Sequence, residues 1–250
     1  MNITLLVTHV AEWLGVIAIA WFISRVPRLR AAPVGFKYPR REGLIALALG
    51  ASAVLFAFIF TTPQLAGLAP RLIPLPEPSA ALARPLFVAL VTLLPVIAAL
   101  ATRGQPPRSA GWGRQFLRVG LQSGLTAVLL TILLRNRAMD LISGIDSGQA
   151  TYLLAAVGIA LAEETVFRGY IQARLGWWMG QNRGWLVTGL FYAAFRFPLL
   201  LAAGDLNAAL FGLVIALGQG LVAGWLMRQS GHVLAPALYR AASIWLNVFI

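Results

Sequence analysis

The chain has 250 residues, 59% of them hydrophobic and 11% charged, with no cysteine and a formal net charge of +12. A soluble domain carries about a quarter charged residues, so this composition, together with long apolar runs, excludes a soluble globular protein and specifies a polytopic helical membrane protein. The absence of cysteine excludes disulfides, thiol catalysis and Cys-ligated metal, and basic residues scattered over short loops argue for membrane topology rather than nucleic-acid binding.

About eight apolar runs follow one another, near 3–24, 43–62, 85–102, 115–134, 151–172, 184–203, 206–227 and 231–250. Each approaches the ~20 residues that cross ~30 Å of hydrocarbon as a helix. The first has no basic residue before Arg25 and so lacks the basic start of a signal peptide; it is expected to remain as a span. His9 and Glu12, three residues apart, share a face of it and are expected to pair with each other or with another helix. The segment 25–41 carries Arg25, Arg28, Arg30, Lys37, Arg40 and Arg41. Its Phe36 and Tyr38 suit contact with anionic headgroups, although positive-inside sorting explains the charge more simply.

The Pro- and Ala-rich stretch 63–84 is expected to connect spans outside the cytoplasm and to pack on helix ends. The third run is short and contains Pro95. Trp177 and Trp178 match an interfacial aromatic belt. Asp205 beside Gly204 reads as a cap or turn residue. Gln219 lies between Gly218 and Gly220, where small residues permit close helix packing and the amide bonds between helices. The links between the last runs are short enough to demand tight antiparallel hairpins.

Loop charge sets the expected orientation. Arg103, Arg108 and Arg114, then Arg174, Arg183 and Arg228, fall on the side of segment 25–41; the opposite side holds Arg71, Arg84, Arg135 and Arg137. This bias puts both termini outside a cell (plasma) membrane and the dense basic loops in the cytoplasm. The expected fold is all-α, a transmembrane bundle of about eight spans. Residues 1–110 form about three N-terminal helices with their loops, and 111–250 a core whose last four spans carry the site.

Chemistry concentrates in the run 153–170, LLAAVGIALAEETVFRGY. Glu163 and Glu164 lie toward its inner end, expected to be open toward the cytoplasm, and ionised groups at membrane depth mark a site or a buried pair. Arg168 follows Glu164 by four residues and so faces it on a helix. Two later stretches supply further arginines at membrane depth, Tyr192-Ala-Ala-Phe-Arg196-Phe-Pro198 and Arg240-Ala-Ala-Ser-Ile244, the latter after Gly231 and Pro236.

These motifs resemble those of the CAAX-protease and bacteriocin-processing (CPBP, or Abi) intramembrane peptidases over roughly 110–250. Glu163, Glu164 and Arg168 match the first motif, Glu-Glu-x-x-x-Arg, in full, and Phe167, Arg168, Gly169 and Tyr170 fit its usual helix end. The resemblance implies an endopeptidase in which a glutamate activates water. Glu163 is then the base, Glu164 its partner and Arg168 their clamp, and the substrate is a membrane-associated or lipidated peptide. The family's second and third motifs carry histidines where this chain has Arg196 and Arg240, and an amide or acid where it has Ile244.

Arginine donates only and stays charged, so it cannot accept a proton from water. It can stabilise an oxyanion, but beside a glutamate it favours the ionised, less basic carboxylate. Hydrolysis is therefore expected to be impaired or lost, and at least one of Arg196 and Arg240 should stand within ~4 Å of a glutamate. The alternatives are a non-catalytic scaffold or binding protein using the same cavity, and an anion or solute carrier using the arginines. The expected partners are membrane lipid and a membrane-associated or lipidated peptide or protein, not nucleic acid. No cofactor or metal is expected, since the two histidines, His9 and His232, sit on different segments and arginines beside carboxylates repel a divalent cation. His232 is expected in a solvated turn, and Asn247 on the face of Arg240.

Overall fold

The computed structural model describes residues 3–25 and 35–249; Arg28 and Arg30 of the basic segment lie outside the described residues. Among the described residues the regular structure is helical throughout, as an all-α membrane bundle requires. Helix α1 spans Ile3–Arg25 and α2 Pro39–Thr61. The connection 63–84 folds into α3 (Leu68–Leu72) and a 3₁₀ turn (Ser79–Leu82). Next come α4 (Ala83–Thr102), α5 (Leu117–Leu134) and the short α6 (Ala138–Ile142). Helix α7 (Ser147–Glu164) runs through a π-helical segment, Thr165–Gln172, into α8 (Ala173–Met179). Then α9 (Gln181–Ala203), α10 (Leu206–Ser230) and α11 (Leu234–Trp245) complete the bundle.

Six of these helical stretches are long and apolar enough to cross a membrane: Pro39–Thr61, Ser79–Thr102, Arg114–Leu134, Ser147–Met179, Gln181–Ala203 and Leu206–Ser230. Within α1, residues Leu6–Phe22 form an apolar helical stretch as well. Such a set of helices makes the chain an integral membrane protein. Pro95 sits inside α4 without ending it.

The last run differs from an ordinary span. Helix α11 has 12 residues, about 18 Å of rise, and it is wedged between α5 and α7 with α10 behind it. Residues Tyr239–Trp245 are all buried. Hydropathy cannot separate a helix bathed in lipid from one enclosed by other helices, because both are apolar.

The bundle is sorted by residue size. On α5 the buried face is Val119, Gly120, Ser123, Gly124, Ala127 and Thr131. Leu117, Leu121, Leu125, Leu129 and Leu133 form an exposed stripe at spacing four. Small residues inside let backbones approach, while leucines face lipid, which dissolves them as well as a protein core does. Starts and stops follow local chemistry. Asp146 and Gln149 form a capping box on α7, with Gln149 N donating to Asp146 Oδ1 at 2.7 Å and Asp146 N to Gln149 Oε1 at 3.1 Å. Asp205 caps α10 by accepting from Ala208 N at 2.7 Å, and Gly231 at φ +68° ends it.

Candidate active site of the peptidase-like core

Helix α7 does not stop at the Phe167-Arg168-Gly169-Tyr170 segment. It widens there into a π-helical turn, every residue of which is buried, and continues to Met179. Wide turns of this kind recur at functional sites because they re-aim side chains inside a continuous helix. A Cβ on Gly169 would strike the Ala110 carbonyl, so glycine permits this close crossing.

The structure brings Glu163, Glu164, Arg168, Arg196 and Arg240 together. Glu163 is 1% exposed and Glu164 fully buried. Arg196 Nη1 on α9 donates to Glu163 Oε1 at 3.0 Å, and the hydroxyl of Tyr192, one turn earlier on α9, donates to Glu163 Oε2 at 2.9 Å. Arg240 on α11 stands 3.6 Å from Glu163 Oε2 and 3.8 Å from Glu164 Oε1. Its guanidinium also hydrogen-bonds the Tyr192 hydroxyl and Gln219 Oε1. Arg168 Nε lies 3.2 Å from Glu164 Oε2. Arg168 Nη2 donates to the Gly220 carbonyl at 2.9 Å, and its guanidinium stacks 4.3 Å from the Tyr192 ring. A Cβ on Gly220 would lie 3.2 Å from Arg168 Nη2, so the glycine keeps this approach open.

The two carboxylates are held differently. Glu163 has a donor on each oxygen. Glu164 has guanidiniums nearby on both sides, yet neither of its buried oxygens receives an aligned hydrogen bond among the described residues. Charge, not directional bonding, compensates Glu164. Among the described residues, Tyr192, Arg196 and Arg240 occupy the space around the carboxylates. Arg196 is the member of the cluster that reaches outward, with its side chain 19% exposed.

The polar chain extends beyond the motif residues. Gln219 Nε2 donates to Ser243 Oγ at 3.1 Å, and Arg135 Nη2 donates to the same oxygen at 2.7 Å. Arg135 Nε donates to Glu12 Oε2 at 2.9 Å, and its Nη1 to Asn247 Oδ1 at 3.2 Å. His9 Nδ1 is 3.7 Å from Glu12 Oε2. Hydrogen bonds and ion pairs thus link Glu12 on α1 to Glu163 on α7. Arginines interrupt this chain, and a guanidinium donates without accepting, so the chain ties helices together without handing on protons. Gln219 does bond between helices, as its glycine neighbours suggest, while Asn247 serves Arg135 and not the glutamates.

A second buried cluster went unseen in the sequence. Glu42, at the start of α2, accepts from Arg103 through a two-pronged contact, from Gln105 Nε2 at 3.0 Å and from Arg174 Nε at 3.1 Å. Arg174 was expected as a loop charge; it is fully buried in α8, its guanidinium stacked 3.4 Å from the Tyr170 ring. Arg135 was likewise expected in an outer loop and is instead buried against Glu12. A charge at the end of an apolar run reads as solvated unless its distant partner is known. His232 is corrected in the same direction. It is 2% exposed, edge-on to Trp112 with ring centres 5.6 Å apart, and its Nδ1 accepts from Leu234 N at 3.1 Å. Burial pushes its imidazole below the ordinary histidine range, toward the neutral form. Among the described residues, no group of three or more His, Asp or Glu is placed to hold a metal ion.

Tyr192 is the clearest residue that sequence reasoning passed over. It occupies the aromatic position of the second motif, four residues before Arg196, and the available signal was its hydroxyl, which a phenylalanine there would lack.

The structure thus sets two adjacent glutamates on one helix of a membrane core against side chains from two later helices. Residues 148–246 match the family of type II CAAX prenyl endopeptidases, Rce1-like, so the C-terminal part of the chain is similar to this CAAX-protease family. No curated protein and no solved structure gives a significant match to the chain.

Proposed function

We infer that this protein retains the frame of a CAAX-type intramembrane endopeptidase but not its water-activating chemistry, and serves as a non-hydrolytic membrane protein that holds a membrane-associated or lipidated chain. The observation that carries this reading is the state of Glu163, whose oxygens take donors from Arg196 and Tyr192 at 3.0 and 2.9 Å with Arg240 close by. A general base must have a lone pair directed at the water it deprotonates and a basicity near that required. Here both carboxylate oxygens face fixed donors. The arginines replace groups that could accept a proton with groups that only donate.

Hydrolysis would have Glu163 as base, Glu164 as its partner and Arg168, Arg196 and Arg240 as stabilisers of charge. The same five residues instead form a compact ion cluster that pins α7, α9 and α11. The division into N-terminal helices, 1–110, and a core, 111–250, fits this assignment, since the core supplies all five. The loop-charge bias of the sequence supports a cytoplasmic side for the basic loops, with both termini outside.

The test uses purified full-length protein in detergent, with prenylated and unmodified peptides carrying a photo-crosslinker. The expected result is capture of intact lipidated peptide with no cleavage that depends on Glu163, judged against Glu163→Ala. Glu163-dependent cleavage products would overturn the reading.

A further inference from the structure

Two adjoining hollows lie at the membrane face where α2 begins, α4 ends and α5 starts. The first, about 790 Å³, is lined by Lys37, Arg41, Arg103 and Arg108, with Glu42 and Gln105 among its walls. Glu42 is already occupied, since Arg103, Gln105 and Arg174 saturate its oxygens. Lys37, Arg41 and Arg108 are exposed, and among the described residues no carboxylate pairs with any of them. Lys37 lies 5.4 Å over the Tyr38 ring, and three cations without a carboxylate partner therefore share one concavity whose acidic member has no acceptor to spare.

The second hollow, about 590 Å³, shares Lys37, Tyr38 and Arg41 with the first and passes onto Leu44 and Ile45 of α2. Leu44 is 51% exposed on the flank that faces lipid. Helix α2 begins between the two hollows without a side-chain cap. The free backbone N–H groups of its first turn add positive potential to that of the side chains. A cationic chamber at headgroup level thus opens directly onto an apolar groove descending along a span.

The geometry points to a binding site for one anionic phospholipid, its phosphate among Lys37, Arg41 and Arg108 and an acyl chain along Leu44 and Ile45. A free phosphate would use only the first hollow and leave the groove unexplained. A zwitterionic lipid would bring its own cation toward three others. The apolar groove and the cationic chamber are joined by shared residues, which is the shape of an amphiphile. This site is separate from the glutamate cluster and stands whether or not that cluster hydrolyses anything.

The test is native mass spectrometry of the full chain in detergent, titrated with phosphatidylglycerol or phosphatidylcholine, with inorganic phosphate as a competitor. The expected result is one retained phosphatidylglycerol, bound at least ~10-fold more tightly than phosphatidylcholine, because each basic residue near the headgroups adds attraction for an anionic lipid. The triple variant Lys37→Gln/Arg41→Gln/Arg108→Gln should weaken that binding at least ~10-fold, whereas the equal charge change Arg71→Gln/Arg118→Gln/Arg183→Gln should alter it less than ~2-fold. Leu44→Glu should also weaken the lipid while leaving the chamber's cations in place. Thermal stabilisation of the wild type by a short-chain phosphatidylglycerol, and not by its choline counterpart, gives a second reading that needs no variant. Equal losses in the two triple variants, equal binding of both lipids, or displacement of the lipid by millimolar phosphate would each overturn the proposal.

Discussion

The two buried carboxylate clusters use the same residue types and are built in opposite ways. Glu42, at the membrane face, takes four hydrogen bonds from Arg103, Gln105 and Arg174, which fills its lone-pair sites. Glu163 takes two, and Glu164, at the centre of the bundle, takes none that is aligned. Depth is the physical difference. Near the face, loop residues such as Gln105 and Ser109 fold onto the arginines and supply flexible partners. In the bundle, every partner must come from a rigid helix, and three helices cannot all place donors at ideal angles. Glu164 is therefore stabilised by surrounding charge alone, and the inner cluster depends more strongly on each of its cations.

That contrast predicts a hierarchy of effects. The largest is expected for Arg168→Ala, which leaves the fully buried Glu164 with Arg240 alone, at 3.8 Å. Removing one member of such a pair typically costs ~3–5 kcal/mol, and thermal unfolding in detergent should show a marked drop in Tm. An unchanged Tm would mean that Arg168 carries no compensating charge. Glu42→Ala should cost less, about 1.5–3 kcal/mol for hydrogen bonds to charged groups, because Arg103 is partly exposed and the buried Arg174 keeps acceptors at the Ser109 and Tyr170 carbonyls and Gln105 Oε1. A loss larger than that of Arg168→Ala would reverse the proposed ranking of the clusters.

The spans and their order were legible because hydropathy and length are enough to find apolar helices. Glu163, Glu164 and Arg168 were legible because helical spacing puts i and i+4 on one face. Arg196 and Arg240 were found only through the family motifs, since nothing in their local sequence aims them at α7. Glu42 and Arg174 were missed because their partnership spans 132 residues and each stands at the edge of an apolar run. The π-helical turn has no composition of its own. The enclosure of α11 is a tertiary fact, invisible to a scale that scores lipid and protein interior alike.

Tyr192→Phe sharpens the comparison at smaller scale. It removes the hydroxyl that donates to Glu163 and receives from Arg240, with little change in shape. A loss of about 1–2 kcal/mol is expected, measured by the same unfolding assay; no loss would show that Arg196 alone suffices for Glu163. The smallest effect concerns His232. Its folded state disfavours protonation, so its contribution is complete above the unfolded value near 6.5 and is lost as pH falls below it. The wild type should lose stability between about pH 7 and 5 more than His232→Phe does, and parallel pH profiles would contradict this.

The claim that the inner cluster as a whole has left hydrolysis behind is tested most directly by restoring its missing histidines. Arg196→His/Arg240→His supplies both imidazoles, but Ile244 still stands where the family has an amide or acid. The measurement is cleavage of prenylated and unmodified peptides by this double variant, with Glu163→Ala in the same background as control. No Glu163-dependent cleavage is predicted; robust Glu163-dependent cleavage would show that two substitutions alone silenced an otherwise intact peptidase.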